Sequence, residues 1–367
     1  MDAKPHLLIG AEVSYYSAKV RSYLRYKRIP FVEVPASREA YRDVILPRTG
    51  VRFIPVLISS DDIAVQDSRA IVDFLEERYP EPNIEPPGTT QQLVASLFEL
   101  YADEWLLLPA MHYRWNVPEN RSFAIREFGR LSLPEATPAE QLAVGEKLSV
   151  PFAGALPVLG VHPATVSAIE ESYGAFLTEL DAHLAHHPRI LGARPSIADF
   201  ALFGPLYAHL YRDPASGRLM RERAPRVAQW VESLLTDDTA HGDFLDGDQV
   251  PATLEPLLSR LFVEFGPVLA STIDRLTAFD PGDAEAPLPR ALGTHSFQLG
   301  DATAERAVLP FNVWRWQRVR DRYLALSGAA RAAADELIDR IGARQLFEKP
   351  LSRRLVRVDN RLRFAPR

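Results

Sequence analysis

Four prolines and a glycine fall within residues 80–90, Pro-Glu-Pro-Asn-Ile-Glu-Pro-Pro-Gly-Thr-Thr. Each proline removes a backbone donor and pushes the residue before it out of helical conformation, so neither a helix nor a paired strand can run through this stretch. The chain is therefore predicted to divide here, with a first unit over 1–80, a linker over 81–90 and a second unit beginning near 91. The hydrophobic period differs on the two sides. Before the linker, Leu7, Leu8 and Ile9 read as a strand, Val20, Tyr23 and Leu24 as one face of a helix, and Phe31, Val32 and Val34 as a second strand. That order is a βαβ unit with parallel strands and a right-handed crossover. A third strand is predicted over 53–58, interrupted by Pro55, followed by a turn at Asp61-Asp62, a fourth apolar run at Ile63-Ala64-Val65, and a helix over 67–79 with Ala70, Ile71, Phe74 and Leu75 on one face. After the linker the period becomes helical, over 93–115 and again over 166–184, while 117–165 is too rich in proline and small residues to assign.

The character shifts once more after Leu235. A helix over 254–276, a break at 280–290, two short alternating segments around 297–308, and helices over 312–326 and 329–341 lead to a hairpin, 355–358 and 361–364, turning at Asp359-Asn360. The predicted architecture is an α/β unit, an all-α unit to about residue 245, and an α+β extension over 246–367.

The 367 residues contain no cysteine. Disulfides, thiolate metal sites and a cysteine nucleophile are excluded, and any thiol chemistry must use a thiol brought by a ligand. The first residues lack the pattern of a secretory signal and no apolar run approaches the ~20 residues of a membrane span, so a cytoplasmic protein without membrane association is expected. Residues 315–367 hold 14 basic and 6 acidic side chains, a balance of +8, which leaves −14 of the net −6 for the rest of the chain. A basic tail packed on an acidic body accounts for this better than a nucleic-acid surface. His183, His186 and His187 have chelating spacing, but they sit in a last helical turn with no completing carboxylate pattern, so no metal is expected.

Three features of the first unit fit one kind of ligand. Ser14, in Ser14-Tyr15-Tyr16-Ser17, stands where the first strand passes into the first helix, with its hydroxyl near the positive helix end. Ile54-Pro55 is a candidate cis peptide, at a cost of only about 0.5–1 kcal/mol for a proline bond, that would present the Ile54 backbone to an extended peptide. Gln66-Asp67-Ser68 opens the next helix, where free N–H groups and a hydroxyl hold a carboxylate while Asp67 holds an amine. Singly these are ordinary caps and an ordinary edge proline; in this order they describe a site for a small zwitterionic peptide.

The pattern resembles the glutathione transferase superfamily, especially its serine-type zeta and theta classes, over roughly 7–235. The resemblance implies a thioredoxin-like domain joined to an all-α domain, with glutathione as co-substrate and no metal. It implies that Ser14 contacts the glutathione sulfur, that Ile54, before Pro55, holds the cysteinyl backbone, and that Asp67 and Ser68 hold the γ-glutamyl group. Ser196-Ile197-Ala198-Asp199 resembles the family's buried helix-capping motif, a structural element. This chain departs from the pattern with Tyr15 after the serine, two extra residues before Pro55 and a long extension. Arg52 or Arg48 is the candidate for the glycyl carboxylate by charge and position. A small electrophilic substrate, apolar or aromatic, is expected between the units against Tyr15, Trp105, Leu108, His112 and Trp115, with a homodimer formed through the helix over 93–115. The alternative is a non-catalytic glutathione-binding or protein-interaction module on the same fold.

Overall fold

The computed structural model describes residues 4–236, 242–283 and 285–366. The opening forms as the periodicity predicts: β1 (His6–Gly10), helix α1 (Tyr15–Tyr26) and β2 (Phe31–Pro35), with β1 and β2 parallel and Leu8 opposite Glu33. β3 (Val56–Ile58) runs antiparallel to β1 with Leu57 opposite Leu8, and β4 (Ala64–Gln66) pairs with β3, giving the order β2-β1-β3-β4. The strand expected over 53–58 begins only at Val56. Pro55 supplies no amide hydrogen for the ladder, and the Ile54–Pro55 bond is cis. Helices α1 and α2 (Ser68–Glu76) contact each other, and a smaller apolar cluster of Ile9, Ile45, Val56 and Ile58 gathers with the helical segment 38–49. This mixed sheet with packed helices is a thioredoxin-like domain.

Helix α3 (Thr89–Leu100) passes through a π-helical turn, Tyr101–Trp105, into α4 (Leu107–Asn116). The previously unassigned segment is two helices, α5 (Pro118–Ser132) and α6 (Pro138–Ala153), and one further turn, Leu156–Leu159. Two of the prolines that obscured it are helix starts, and Thr137 and Glu140 close a capping box ahead of α6. The two helices cross closely enough that a Cβ on Gly129 would stand 1.8 Å from the Gln141 carbonyl oxygen. Against the expectation that no such segment exists, Pro138–Leu159 has the length and apolar composition of a membrane span, and its surface is mostly exposed. It carries Glu140, Glu146 and Lys147 and packs on α5 as a hairpin. α7 (Val166–Leu184) and α8 (Ile197–Pro205) follow. Asp199 accepts from the Ser196 and Ile190 N–H groups at 2.9 and 3.1 Å, the structural capping role assigned to that motif.

The expected single helix over 254–276 is two, α9 (Glu255–Glu264) and α10 (Gly266–Ala278), bent by 41° where Gly266 and Pro267 follow Phe265. A hairpin of β5 (Thr294–Leu299) and β6 (Ala302–Ala307) precedes α11 (Pro310–Ala325) and α12 (Gly328–Arg340). The chain closes in β7 (Leu355–Val358) and β8 (Arg361–Phe364), with Asp359 and Asn360 at φ 48° and 61° as a type I′ turn requires.

The extension is built into the molecule. Trp316, Val313 and Tyr323 of α11 join the same apolar core as Leu93 and Leu97 of α3, and α11 and α12 both pack on α3. Only Thr89 and Gln92 of α3 escape full burial, which α8 provides together with α11 and α12 of the extension. The charge asymmetry takes the predicted form of basic tail on acidic body. Arg318 makes two 2.8 Å bonds to Asp73, Arg322 meets Glu85, and Arg315 reaches Asp103 and Glu99. Beneath Arg315, the Lys19 ammonium lies 2.7 Å from both Glu99 and Asp103, and Arg69 lies 3.2 Å from Glu99. Burial pushes Lys19 down to about 8. Burial opposes the Glu99 charge, yet the surrounding Arg69, Lys19 and Arg315 hold that carboxyl well below the usual range.

Candidate functional site

A cavity of about 780 Å³ opens where all three parts of the chain meet. The first domain contributes Tyr16, Arg52, Phe53, Ile54, Gln66, Asp67 and Ser68; the helical part contributes Glu104, Leu107, Val158 and Leu159; the extension contributes Leu288, Arg290, Phe311, Arg315, Arg357, Arg361 and Leu362.

The first-domain wall is polar through its backbone. Neither the N–H nor the carbonyl of Ile54 has a hydrogen-bond partner among the described residues, and Pro55 beside it is buried. Asp67, at φ 88°, caps α2 by accepting from Arg69 N–H at 2.9 Å and Ala70 N–H at 3.3 Å through one carboxylate oxygen, Oδ1. Ser68 is the first residue of α2 and lines the cavity, so a helix N-terminus and a hydroxyl face it together. Gln66 is occupied: its carbonyl accepts from Arg357 of β7 at 3.0 Å and its side chain accepts from the same guanidinium. Arg52 lines the cavity, exposed and without an ion-pair partner among the described residues, whereas Arg48 is paired with Asp62 at 2.6 Å. Of the two arginine candidates only Arg52 is free.

Ser14 is the N-cap of α1, its Oγ accepting from Ser17 N–H at 3.3 Å. It is half-buried and stands outside the lining, and its own O–H has no acceptor among the described residues. Tyr16 lines the cavity, but its hydroxyl donates to the Asp103 carbonyl at 2.9 Å.

The expected aromatic wall faces elsewhere. Tyr15 donates to the Ala102 carbonyl and meets His209 edge-on. Trp105 donates to Glu264 at 2.8 Å and stacks on Phe265. Leu108 is buried, His112 lies 3.0 Å from Glu170, and Trp115 packs among Phe128 and Phe152. None of the five lines the cavity; Tyr16, Glu104 and Leu107 do. The helix that carries four of the five is broken by the π turn at Tyr101–Trp105, closed by the Leu106 N–H on the Tyr101 carbonyl at 3.0 Å. It interrupts the α-helical period, so spacing counted straight through it does not give the face of the residues beyond it.

Burial and then the nearby Asp67 push the Glu104 carboxyl up to about 8. Arg306, behind it and over the Trp105 and Phe297 rings, is pushed down to about 10 by burial. Of the histidine cluster, His183 bonds Thr253 at 2.8 Å and lies 3.2 Å from the Arg189 carbonyl. Among the described residues no group of side chains suited to a metal ion is found.

Residues 8–83 match the family model for the glutathione S-transferase N-terminal domain, and residues 163–233 match that for the glutathione S-transferase C-terminal domain. Those two stretches carry the N-terminal and C-terminal domains of a glutathione S-transferase. Both matches stop before the extension, which no part of the transferase models covers. Similar solved structures include a glutathione S-transferase from Rhodospirillum rubrum F11, 18% identical with a TM-score of 0.41 and covering 69% of this chain and 91% of its own. A glutathione S-transferase from Methylobacterium radiotolerans, solved with glutathione sulfonate, is 20% identical with a TM-score of 0.41, covering 67% and 100%. The transferase GSTFuA3 from Phanerochaete chrysosporium is 16% identical with a TM-score of 0.46, covering 66% and 100%. No curated protein matches the chain.

Proposed function

We propose that this chain binds glutathione and activates its thiol for attack on an electrophile with an apolar or aromatic body, held in the shared cavity. One observation carries the reading: the free Ile54 backbone and the Ser68 helix terminus line one wall of a single cavity, in a chain with no thiol of its own. An extended peptide can pair with Ile54 while its terminal carboxylate meets Ser68, its amine meets the second oxygen of Asp67, and its far carboxylate meets Arg52.

Ser14 is assigned as the donor to the thiolate. Its proton is free and it stands at the positive end of α1, whereas the Tyr16 proton is committed to a carbonyl. Lowering a thiol from about 8.5 to about 6.5 needs roughly 2.7 kcal/mol of preference for the thiolate. A hydrogen bond to a charged group contributes about 1.5–3 kcal/mol and a helix terminus about 0.3–1 kcal/mol, which together suffice. The thiolate then attacks the electrophile and the leaving group departs.

Calorimetric titration of glutathione tests the binding half. Saturable binding that weakens on Ser68→Ala supports the assignment. Absence of binding to the wild-type chain would reduce the site to a family fold used for another purpose. Binding without turnover of any electrophile would favour the non-catalytic alternative.

A further inference from the structure

The extension brings more positive charge to the cavity than the wall neutralises. Five arginines line it, Arg52, Arg290, Arg315, Arg357 and Arg361, against two carboxylates, Asp67 and Glu104. Arg315 is committed to Asp103 and Glu99, and Arg357 is committed to Gln66. Arg290 and Arg361 are exposed and have neither an ion pair nor a hydrogen bond from their side chains among the described residues. The segments that carry them meet, since the Leu288 N–H donates to the Leu362 carbonyl at 2.8 Å, and both side chains line the same cavity. The Arg290 guanidinium lies over the Phe53 ring, 4.5 Å from its centroid, which orients the planar fork. Apolar groups stand in the same cavity, among them Leu107 of α4 and Phe311 of α11.

We infer that Arg290 and Arg361 form a second anion subsite, and that the acceptor of this enzyme is an organic carboxylate with an apolar or aromatic body. The inference rests on the glutathione reading, which assigns Arg52 to the glycyl carboxylate and leaves this pair for the other substrate. Two unpaired guanidinium groups beside an apolar wall suit a carboxylate better than a neutral group of the same shape, because the fork matches its two oxygens and the wall concentrates the field. The specificity determinant thus lies in the extension, outside both transferase domains.

The test compares naphthoate with naphthamide, its neutral isostere, by calorimetry in saturating S-methylglutathione, which fills the glutathione half without offering a thiol. The wild-type chain should prefer the acid by about tenfold or more, the effect of a charge-assisted pair. The preference should fall to about unity in Arg290→Ala/Arg361→Ala and should largely persist in Arg290→Lys/Arg361→Lys. Both side chains are exposed, so an unchanged unfolding midpoint checks that the variants fold. Equal affinity for acid and amide, a preference that survives the double alanine change, or no binding of either probe would overturn the inference. Loss of the preference only when S-methylglutathione is added would do the same, by placing the acid in the glutathione subsite. S-methylglutathione is titrated alone in parallel. Its failure to bind counts against the glutathione reading, and the acid and amide are then compared without it.

Discussion

The two halves of the cavity are built by different means. The glutathione half is made of backbone groups and a helix end, the free amide and carbonyl of Ile54 and the first turn of α2 at Ser68, with the α1 cap at Ser14 just outside the lining. The acceptor half is made of side chains from distant segments, with Leu107 presented by a π turn and Arg290, Phe311 and Arg361 brought by the extension. A half fixed by local chain geometry tolerates changes in the surrounding core, whereas a half assembled by tertiary packing depends on whatever holds those segments together. Arg315 does much of that holding, since it faces the buried Glu99 and Asp103 from α11.

The largest effect is expected at that joint. Arg315→Met leaves two buried carboxylates with less compensation and should cost about 3–5 kcal/mol of stability in denaturant titration. A loss under about 1 kcal/mol would show that the extension is a loosely docked appendage. Next comes the register set by the π turn. Leu108→Ala should cost about 2–4 kcal/mol of stability with little effect on the acceptor, while Leu107→Ala should cost little stability and weaken acceptor binding. The reverse pattern would restore the wall drawn from helical spacing. Smaller again, Ser68→Ala should weaken glutathione binding by about 1.5–3 kcal/mol and leave the affinity of naphthoate unchanged. Equal losses for both ligands would erase the distinction between the halves.

The last of these contrasts is a pH dependence. Burial, followed by Asp67, raises the Glu104 carboxyl to about 8 from about 4.3 in an unfolded chain. The folded state therefore holds that proton more tightly, and stability from this group falls as pH rises from about 4.3 to about 8. Glu104→Gln imitates the protonated acid. It should gain on the order of 1–3 kcal/mol over wild type at about pH 8 and little at about pH 5, read from unfolding midpoints. A gain of equal size at both pH values would mean that Glu104 is not held protonated.

How far each half could be read from sequence follows from the same division. Pro55, the Asp67-Ser68 cap, the type I′ turn at Asp359-Asn360 and the capping box of Ser196 and Asp199 each have a local physical reason to be where they are. The linker and the βαβ opening were legible for that reason. The segment 117–165 resisted because Pro118 and Pro138 read as breakers when they are helix starts. The break at Phe265 was carried by Gly266 and Pro267 inside an unbroken apolar period. The π turn at Tyr101–Trp105 has no local signature, so Trp105, Leu108, His112 and Trp115 were placed on the cavity where Glu104 and Leu107 stand, and Tyr15 was placed there where its neighbour Tyr16 stands. Burial of α3 under α11 and α12 is a long-range event that no pattern within α3 announces.

The central claim is that Ser14 turns a bound, neutral thiol into a thiolate. The direct measurement is the ultraviolet thiolate absorbance of bound glutathione as a function of pH, in wild type and in Ser14→Ala, with binding monitored on the same samples. In wild type the bound thiol should titrate near 6.5, about two units below its free value, and Ser14→Ala should return it most of the way while glutathione still binds. A bound thiol that titrates like the free one, or a lowered value that survives the loss of the Ser14 hydroxyl, would contradict the account.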